Sequence, residues 1–294
     1  MKRVERCPCC GDERLLPFAL TEWVDGVLHF AQARCAGCGM LVSQPQADPE
    51  DVDRYYRSEY YQSADSKETR SKADDIRWIY ERYDWPIMNS LWRNRPPPPG
   101  ADVVEVGCGL GVILDLFKEN GFRTHGCDLS PEAVAWCRAR GHDAVVSPFP
   151  QSSLPRSKFA VVCALQVIEH TLDLKGFVQE LVDLAAPGGV VVVATESIWT
   201  TQHRVQRLAA RLRGRCFRFH THTSHTLLMQ ASHVGRLMED AGCEGVESRY
   251  YTQAPAKESL HWRMYKGTMR LIDRLVGGGE CHMTVAWKKS ETKD

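Results

Sequence analysis

The stretch Val103-Val104-Glu105-Val106-Gly107-Cys108-Gly109-Leu110-Gly111 leaves this chain little choice of architecture. Its valines suit a strand buried on both faces, and glycines directly after a strand let the backbone turn sharply and approach a ligand with no Cβ in the way. The apolar residues that follow, Val112, Ile113, Leu114, Leu116 and Phe117, have helical spacing, so the amides at that helix N-terminus open onto the turn. Strand, glycine turn and helix form the opening of a nucleotide-binding α/β sheet.

The glycine spacing narrows the ligand. A dinucleotide fold asks for G-x-G-x-x-G, whereas the third glycine comes one place early and Val112 stands where it would be. Arg123 to Glu132 reads as a second strand ending at Asp128, then a helix capped by Ser130 with Pro131 at its first position. A carboxylate at a strand's C-terminal end can accept both ribose hydroxyls of a nucleoside. Together the turn and the acid imply an adenosine ligand. Asp143 to Pro150 is expected to be a third strand and turn, and Lys158 to His170 a fourth strand and its exit. Asp173 to Ala186 has helical periodicity, Pro187-Gly188-Gly189 stops it, and Val190 to Ala194 should be a buried strand.

These motifs, taken in order, resemble class I S-adenosylmethionine (SAM) dependent methyltransferases. The match runs from about Val103 to Ala194 through E-x-G-x-G-x-G, Asp128-Leu129-Ser130, Ile168-Glu169-His170 and Ala185-Ala186-Pro187-Gly188-Gly189. The resemblance implies a Rossmann-like seven-stranded sheet with SAM as methyl donor. It carries donor contacts onto Glu105, Gly107, Cys108, Gly109, Gly111, Asp128, Leu129 and Gln166. Two positions depart from the family: the third strand lacks the acid many members place beside adenine, leaving backbone groups and the Phe149 ring for that contact, and Phe159-Ala160 replaces the usual Phe-Asp. His225, followed by a short connection and a helix from Ser232 to Ala241, is similar to the segment whose histidine faces the family's active site. Methyl transfer from a sulfonium is an in-line displacement, so the protein must align donor and acceptor and, for a hydroxyl, remove its proton. His225 and His170 are the candidate bases, with Glu169 as a further candidate for the acceptor.

Ahead of this core, Cys7-Pro8-Cys9-Cys10-Gly11 and Cys35-Ala36-Gly37-Cys38-Gly39 are two C-x-x-C-G knuckles. Cys7, Cys10, Cys35 and Cys38 can close a tetrahedral zinc site with no open position, which makes the metal structural, while Cys9 is a spare thiol. Residues 1–50 form this ribbon, 51–100 a helical linker region and 101–294 the methyltransferase domain. The tyrosine pairs Tyr55-Tyr56 and Tyr60-Tyr61 suggest either a docking surface or a lid, and Pro96 to Pro99 with Gly100 a stiff linker.

Charge and targeting bound the partners. Lys+Arg and Asp+Glu both number 37, and the ribbon has five basic residues against seven acidic ones, a poor phosphate binder. A small-molecule partner is expected, with neither a membrane nor nucleic acid as partner, and a cytoplasmic location because a membrane span and a signal peptide are both lacking. Arg204, Arg207, Arg211, Arg213, Arg215 and Arg218 lie in a stretch, Ser197 to Met238, that contains no acid. They read as a solvated helix face or as a wall for an anionic acceptor. Gly245 to Tyr251 and Cys281 to Trp287 should pair as an antiparallel hairpin, with a helix from Lys257 to Val276 between them. The acceptor expected from the domain order is a sugar, glycan or secondary metabolite. An RNA methyltransferase and a non-catalytic SAM-binding protein are the alternatives.

Overall fold

The computed structural model describes residues 3–22, 29–46, 50, 67–197, 199–215, 218–220, 225–253 and 260–290. The two tyrosine pairs, the stretch Thr221 to Ser224 and the expected start of the last helix lie outside them.

Seven strands make the main sheet: β4 (Asp102–Val106), β5 (Arg123–Asp128), β6 (Asp143–Val146), β7 (Phe159–Leu165), β8 (Ala185–Glu196), β11 (Cys243–Tyr251) and β12 (Cys281–Lys288). Their order is β11-β12-β8-β7-β4-β5-β6. β4 to β8 are parallel, and β12 is antiparallel to both β8 and β11, as the hairpin reading requires. β4 shows why its valines are consecutive: Val103 belongs to the core on one face and Val104 and Val106 to the core on the other.

Helices cover both faces. On one side, α2 (Trp85–Leu91) and α3 (Val112–Glu119) bury Met88, Trp92, Ile113 and Phe117, with Trp85 edge-on to Phe117 at 5.1 Å. α2 continues α1 (Lys67–Ile79) through a π turn, Tyr80–Asp84. On the other side, α5 (Leu174–Leu184) and α7 (Ala231–Asp240) pack Phe177, Leu181, Val234 and Met238 against the sheet. Between β5 and β6, α4 (Pro131–Ala139) starts where Ser130 Oγ accepts the Ala133 amide at 3.2 Å, with Pro131 at the first helical position.

Some boundaries differ from the sequence reading. β6 ends at Val146, four residues before Pro150, because Pro148 and Pro150 supply no amide to a ladder. β8 begins at Ala185 rather than Val190, since Ala185 pairs with Phe159 and the ladder shifts register before Val190 meets Val161. Helix α7 runs one residue earlier than expected, from a cap at Gln230.

A second sheet joins two distant parts of the chain. β1 (Leu15–Glu22), β2 (His29–Cys35) and β3 (Leu41–Gln44) come from the N-terminus, but β9 (Arg218–His220) and β10 (Leu227–Leu228) come from beyond β8. The order is β10-β3-β2-β1-β9. Leu20 pairs with Arg218 and Val42 with Leu227. Cys7, Cys35, Met40 and Val42 share one apolar cluster with α5 and α7. The N-terminal unit is thus packed onto the main core and completed by distant strands. α6 (Thr201–Leu212) and α8 (Leu260–Val276) pack on each other at the surface.

Candidate active site

The glycine turn is fixed by backbone bonds to the neighbouring strand. Gly107 and Cys108 amides both donate to the Cys127 carbonyl, at 2.8 and 3.0 Å, and the Gly111 amide to Cys108 at 2.7 Å. Gly107 has φ +68°, and a Cβ there would stand 2.6 Å from Val167 Cγ2. Only glycine fits such a position without strain. The same contact brings the strand exit that carries Gln166, Glu169 and His170 beside the turn.

Asp128 stands at the end of β5, next to β4. Its Oδ2 accepts the Gly109 amide at 2.9 Å and its Oδ1 the Ser130 amide at 2.9 Å. Burial pushes this carboxyl above its ordinary range, against the pull of the Ser130 and Gly109 amides. Each carboxylate oxygen has two lone-pair sites, so one on each stays available to a ribose diol. Leu129 is half-buried beside it, and Phe149 packs edge-on to Phe177 at 4.9 Å beyond β6. Cys108 is buried with its sulfur 3.8 Å from that of Cys137. Glu105 lies inside the sheet with Oε2 lacking a partner among the described residues, and burial raises its carboxyl well above the usual range. Strand, turn and acid therefore form a cradle with the amides and carboxylate that an adenosine ligand needs.

Beside it lies the second group. Glu169, in a single 3₁₀ turn after β7, is fully buried; Thr195 Oγ1 donates to its Oε2 at 2.8 Å, while Oε1 has no partner among the described residues. Burial lifts its carboxyl to about 7, with the His225 charge opposing. The His170 and His225 rings meet edge-on at 4.8 Å, and ligand atoms of Glu169, His170 and His225 lie within 4.8 Å of one another. His225 Nδ1 is 2.9 Å from Glu196 Oε2. Burial lowers the affinity of this imidazole for its proton, but the Glu196 hydrogen bond and charge, with Glu169, bring the net position above the ordinary value. The structure thus gathers His225, His170 and Glu169, which are 56 residues apart at their extremes in sequence. Gln166 sits at the exit of β7 with φ +58° and donates its amide to Ala194 at 2.8 Å.

Two participants escaped the sequence reading, Glu196 and Thr195. Both occupy the C-terminal end of β8, and the rule that ligands bind outside the carboxyl ends of parallel strands was the signal available for them. Arg204 and Arg211 of α6 are exposed, Arg207 lies over the Phe18 ring at 4.3 Å, and no residue of that helix is buried.

The four sulfurs of Cys7, Cys10, Cys35 and Cys38 also lie within 4.8 Å of one another, with Cys7 to Cys38 at 3.6 Å and Cys10 to Cys35 at 3.5 Å. Zinc–sulfur bonds of about 2.3 Å place tetrahedral sulfurs about 3.8 Å apart, so this donor set fits zinc.

A family model described as a methyltransferase domain matches residues 80–248, more than half of the chain. A ubiquinone biosynthesis O-methyltransferase of Methylocella silvestris is 30% identical over 165 residues, covering 50% of this chain and 63% of that protein. A 2-methyl-6-phytyl-1,4-hydroquinone methyltransferase of Synechocystis is 33% identical over 131 residues, covering 42% and 38%. The chain spans less than two thirds of the length of these curated relatives. Among solved structures, phosphoethanolamine N-methyltransferase 2 of Haemonchus contortus in complex with SAM has a TM-score of 0.53 at 15% identity, over 94% of this chain and 69% of that one, a likeness of fold.

Proposed function

The chain belongs to the class I SAM-dependent methyltransferases, and from that premise we propose that it methylates a hydroxyl of a small molecule with His225 as general base. The observation that carries this reading is the 2.9 Å contact of His225 Nδ1 with Glu196. A carboxylate on one ring nitrogen fixes the other as the proton acceptor, the arrangement that general-base catalysis by histidine requires. SAM supplies an electrophilic methyl group, so the protein's own part is alignment and removal of the acceptor proton. Gly107 to Gly111 and Asp128 hold the donor, with Glu105, Cys108, Leu129, Phe149 and Gln166 completing its surroundings. Glu169, fully buried and partly protonated near neutral pH, acts on the base from behind through its charge, and His170 packs against the base to limit its rotation.

For the acceptor we propose a hydroxylated sugar, glycan or secondary metabolite. The M. silvestris relative is named an O-methyltransferase, which supports oxygen as the acceptor atom. An anionic acceptor gains no support from α6, where Arg204 and Arg211 are exposed and Arg207 covers Phe18. Zinc, held by Cys7, Cys10, Cys35 and Cys38, orders the N-terminal unit and takes no part in the chemistry, because all four positions are protein sulfurs.

The test is a turnover assay with labelled SAM against sugar nucleotides, hydroxylated aromatics and RNA, in the intact protein and in His225→Gln. Methylation of a small hydroxylated acceptor that falls by two orders of magnitude or more in the variant supports the proposal. Turnover on RNA alone, or a variant as fast as the parent, rejects it.

A further inference from the structure

The chain's overall neutrality conceals a local segregation of apolar and basic surface. Nine large apolar side chains among the described residues are exposed, and seven of them lie on α6 and α8. On α6 these are Val205, Leu208 and Leu212, spaced i, i+3 and i+7; on α8 they include Met264, Leu271 and Leu275, spaced i, i+7 and i+11. Both spacings place the side chains along one stripe of a helix. Leu212 and Leu275 are each 79% exposed. A helix on a globular core normally turns its apolar stripe inward, whereas α6 has no buried residue and turns its stripe out.

The two helices are held as one surface. Asp273, buried on α8, accepts both the amide and the hydroxyl of Thr201, the first residue of α6, each at 2.6 Å. On the other side, Arg207 stacks on Phe18 at 4.3 Å, and Phe18 and Trp199 pack with Ala210. Anchored at these points, α6 has no room to roll its leucines into the core.

Charge selects what covers the stripe. Arg204 and Arg211 flank it on α6 and are exposed, and no acid occurs from Ser197 to Met238. A second copy would bring two basic faces together, and a nucleic acid would leave the leucines in water. A surface that offers anions beside hydrocarbon satisfies both.

We propose that the α6–α8 face lies on an anionic lipid bilayer, with the leucine stripe at the acyl boundary and the arginines at phosphate. This revises the expectation of no membrane partner. That expectation rested on the balanced overall charge and on the lack of a spanning helix; the charge is segregated locally, and although no helix among the described residues is long and apolar enough to cross a membrane, a helix lying in the interface needs no such length. Four residues separate β8 from α6, so the docked face adjoins the end of the sheet where Glu196 holds His225.

Co-sedimentation of the full chain with vesicles tests it. Binding to vesicles of phosphatidylcholine mixed with phosphatidylglycerol should exceed binding to pure phosphatidylcholine by tenfold or more and fall as salt rises. The double variant Leu208→Glu, Leu275→Glu should lose that binding tenfold or more with an unchanged melting temperature, since both side chains are exposed. The double variant Arg204→Glu, Arg211→Glu should abolish the preference for the anionic vesicles. Equal binding to both vesicle types overturns the proposal, as do leucine variants that bind like the parent. A dimer in sedimentation velocity that the leucine variants dissociate would assign the face to a second copy instead.

Discussion

Asp128 offers the most exacting test of the donor cradle, because its two oxygens serve the fold and are expected to serve the ligand as well. The Gly109 and Ser130 amides occupy one lone-pair direction on each oxygen. Deleting the side chain would therefore disturb the turn and the ligand together, and lost affinity would not distinguish them. Asp128→Asn with SAM-derived ligands resolves this through a double-mutant cycle. Hydrogen bonds to a charged group contribute about 1.5–3 kcal/mol each, about 10- to 150-fold in affinity. Titration calorimetry of the wild type with S-adenosylhomocysteine and its 2′,3′-dideoxy analogue should show a loss of about 3–6 kcal/mol, two such bonds, when both hydroxyls are removed. The Asp128→Asn variant presents one oxygen instead of a carboxylate, so its affinity for the parent ligand should be lower and its further loss with the analogue no more than about threefold. An equal loss in both proteins would refute the ribose assignment and leave Asp128 as a clamp on the turn.

Other consequences are open to measurement. Purified protein should hold about one zinc per chain and Cys35→Ser should lose it, with cooperative unfolding at a lower temperature; a metal-free wild type with undiminished stability would contradict this. Gly107→Ala should cost about 1–3 kcal/mol of stability, since it combines a left-handed backbone with the close approach to Val167, and Val167→Ala in that background should restore part of it. Buried Asp84 accepts Tyr251 Oη at 2.5 Å and Gln253 Nε2 at 2.8 Å, yet burial still raises its carboxyl from 3.8 to about 6. The folded state therefore favours the protonated form, and stability should fall by about 2 kcal/mol as pH rises from 4 to 7 on this group's account. Asp84→Asn should remove that slope from a urea-denaturation series, and an unchanged slope would show that Asp84 is not its source.

Much of the fold was legible because its determinants are local. Consecutive valines, alternating glycines, a Ser-Pro helix start and the periodicity of Leu174 to Leu184 each specify an element without help from the rest of the chain. The second sheet was not legible for the opposite reason. β9 and β10 are short, carry no distinctive pattern and gain their conformation from pairing with β1 and β3 nearly two hundred residues away. At the site, motif order located the turn, Asp128 and the exit of β7. Glu196 stayed hidden because an acid closing a strand looks like any other until His225 is seen beside it. The arginine segment was ambiguous in sequence since charge alone does not say which way a helix faces, and only the outward leucines of α6 resolve that.

The return of β9 and β10 to the N-terminal sheet also bears on how such a chain can be rearranged. The His225 carbonyl accepts from Ser43 Oγ at 3.1 Å, and the Cys38 carbonyl from the His233 ring at 2.9 Å, so the cysteine knuckles and the histidine segment share one hydrogen-bonded frame. A recombination event that exchanged the first hundred residues as a cassette would sever strand partners that the remaining chain has no means to replace. Inheritance of the two parts is tied together by pairing rather than by the linker that joins them, and productive exchange requires the segment around residues 218–233 to travel with the ribbon.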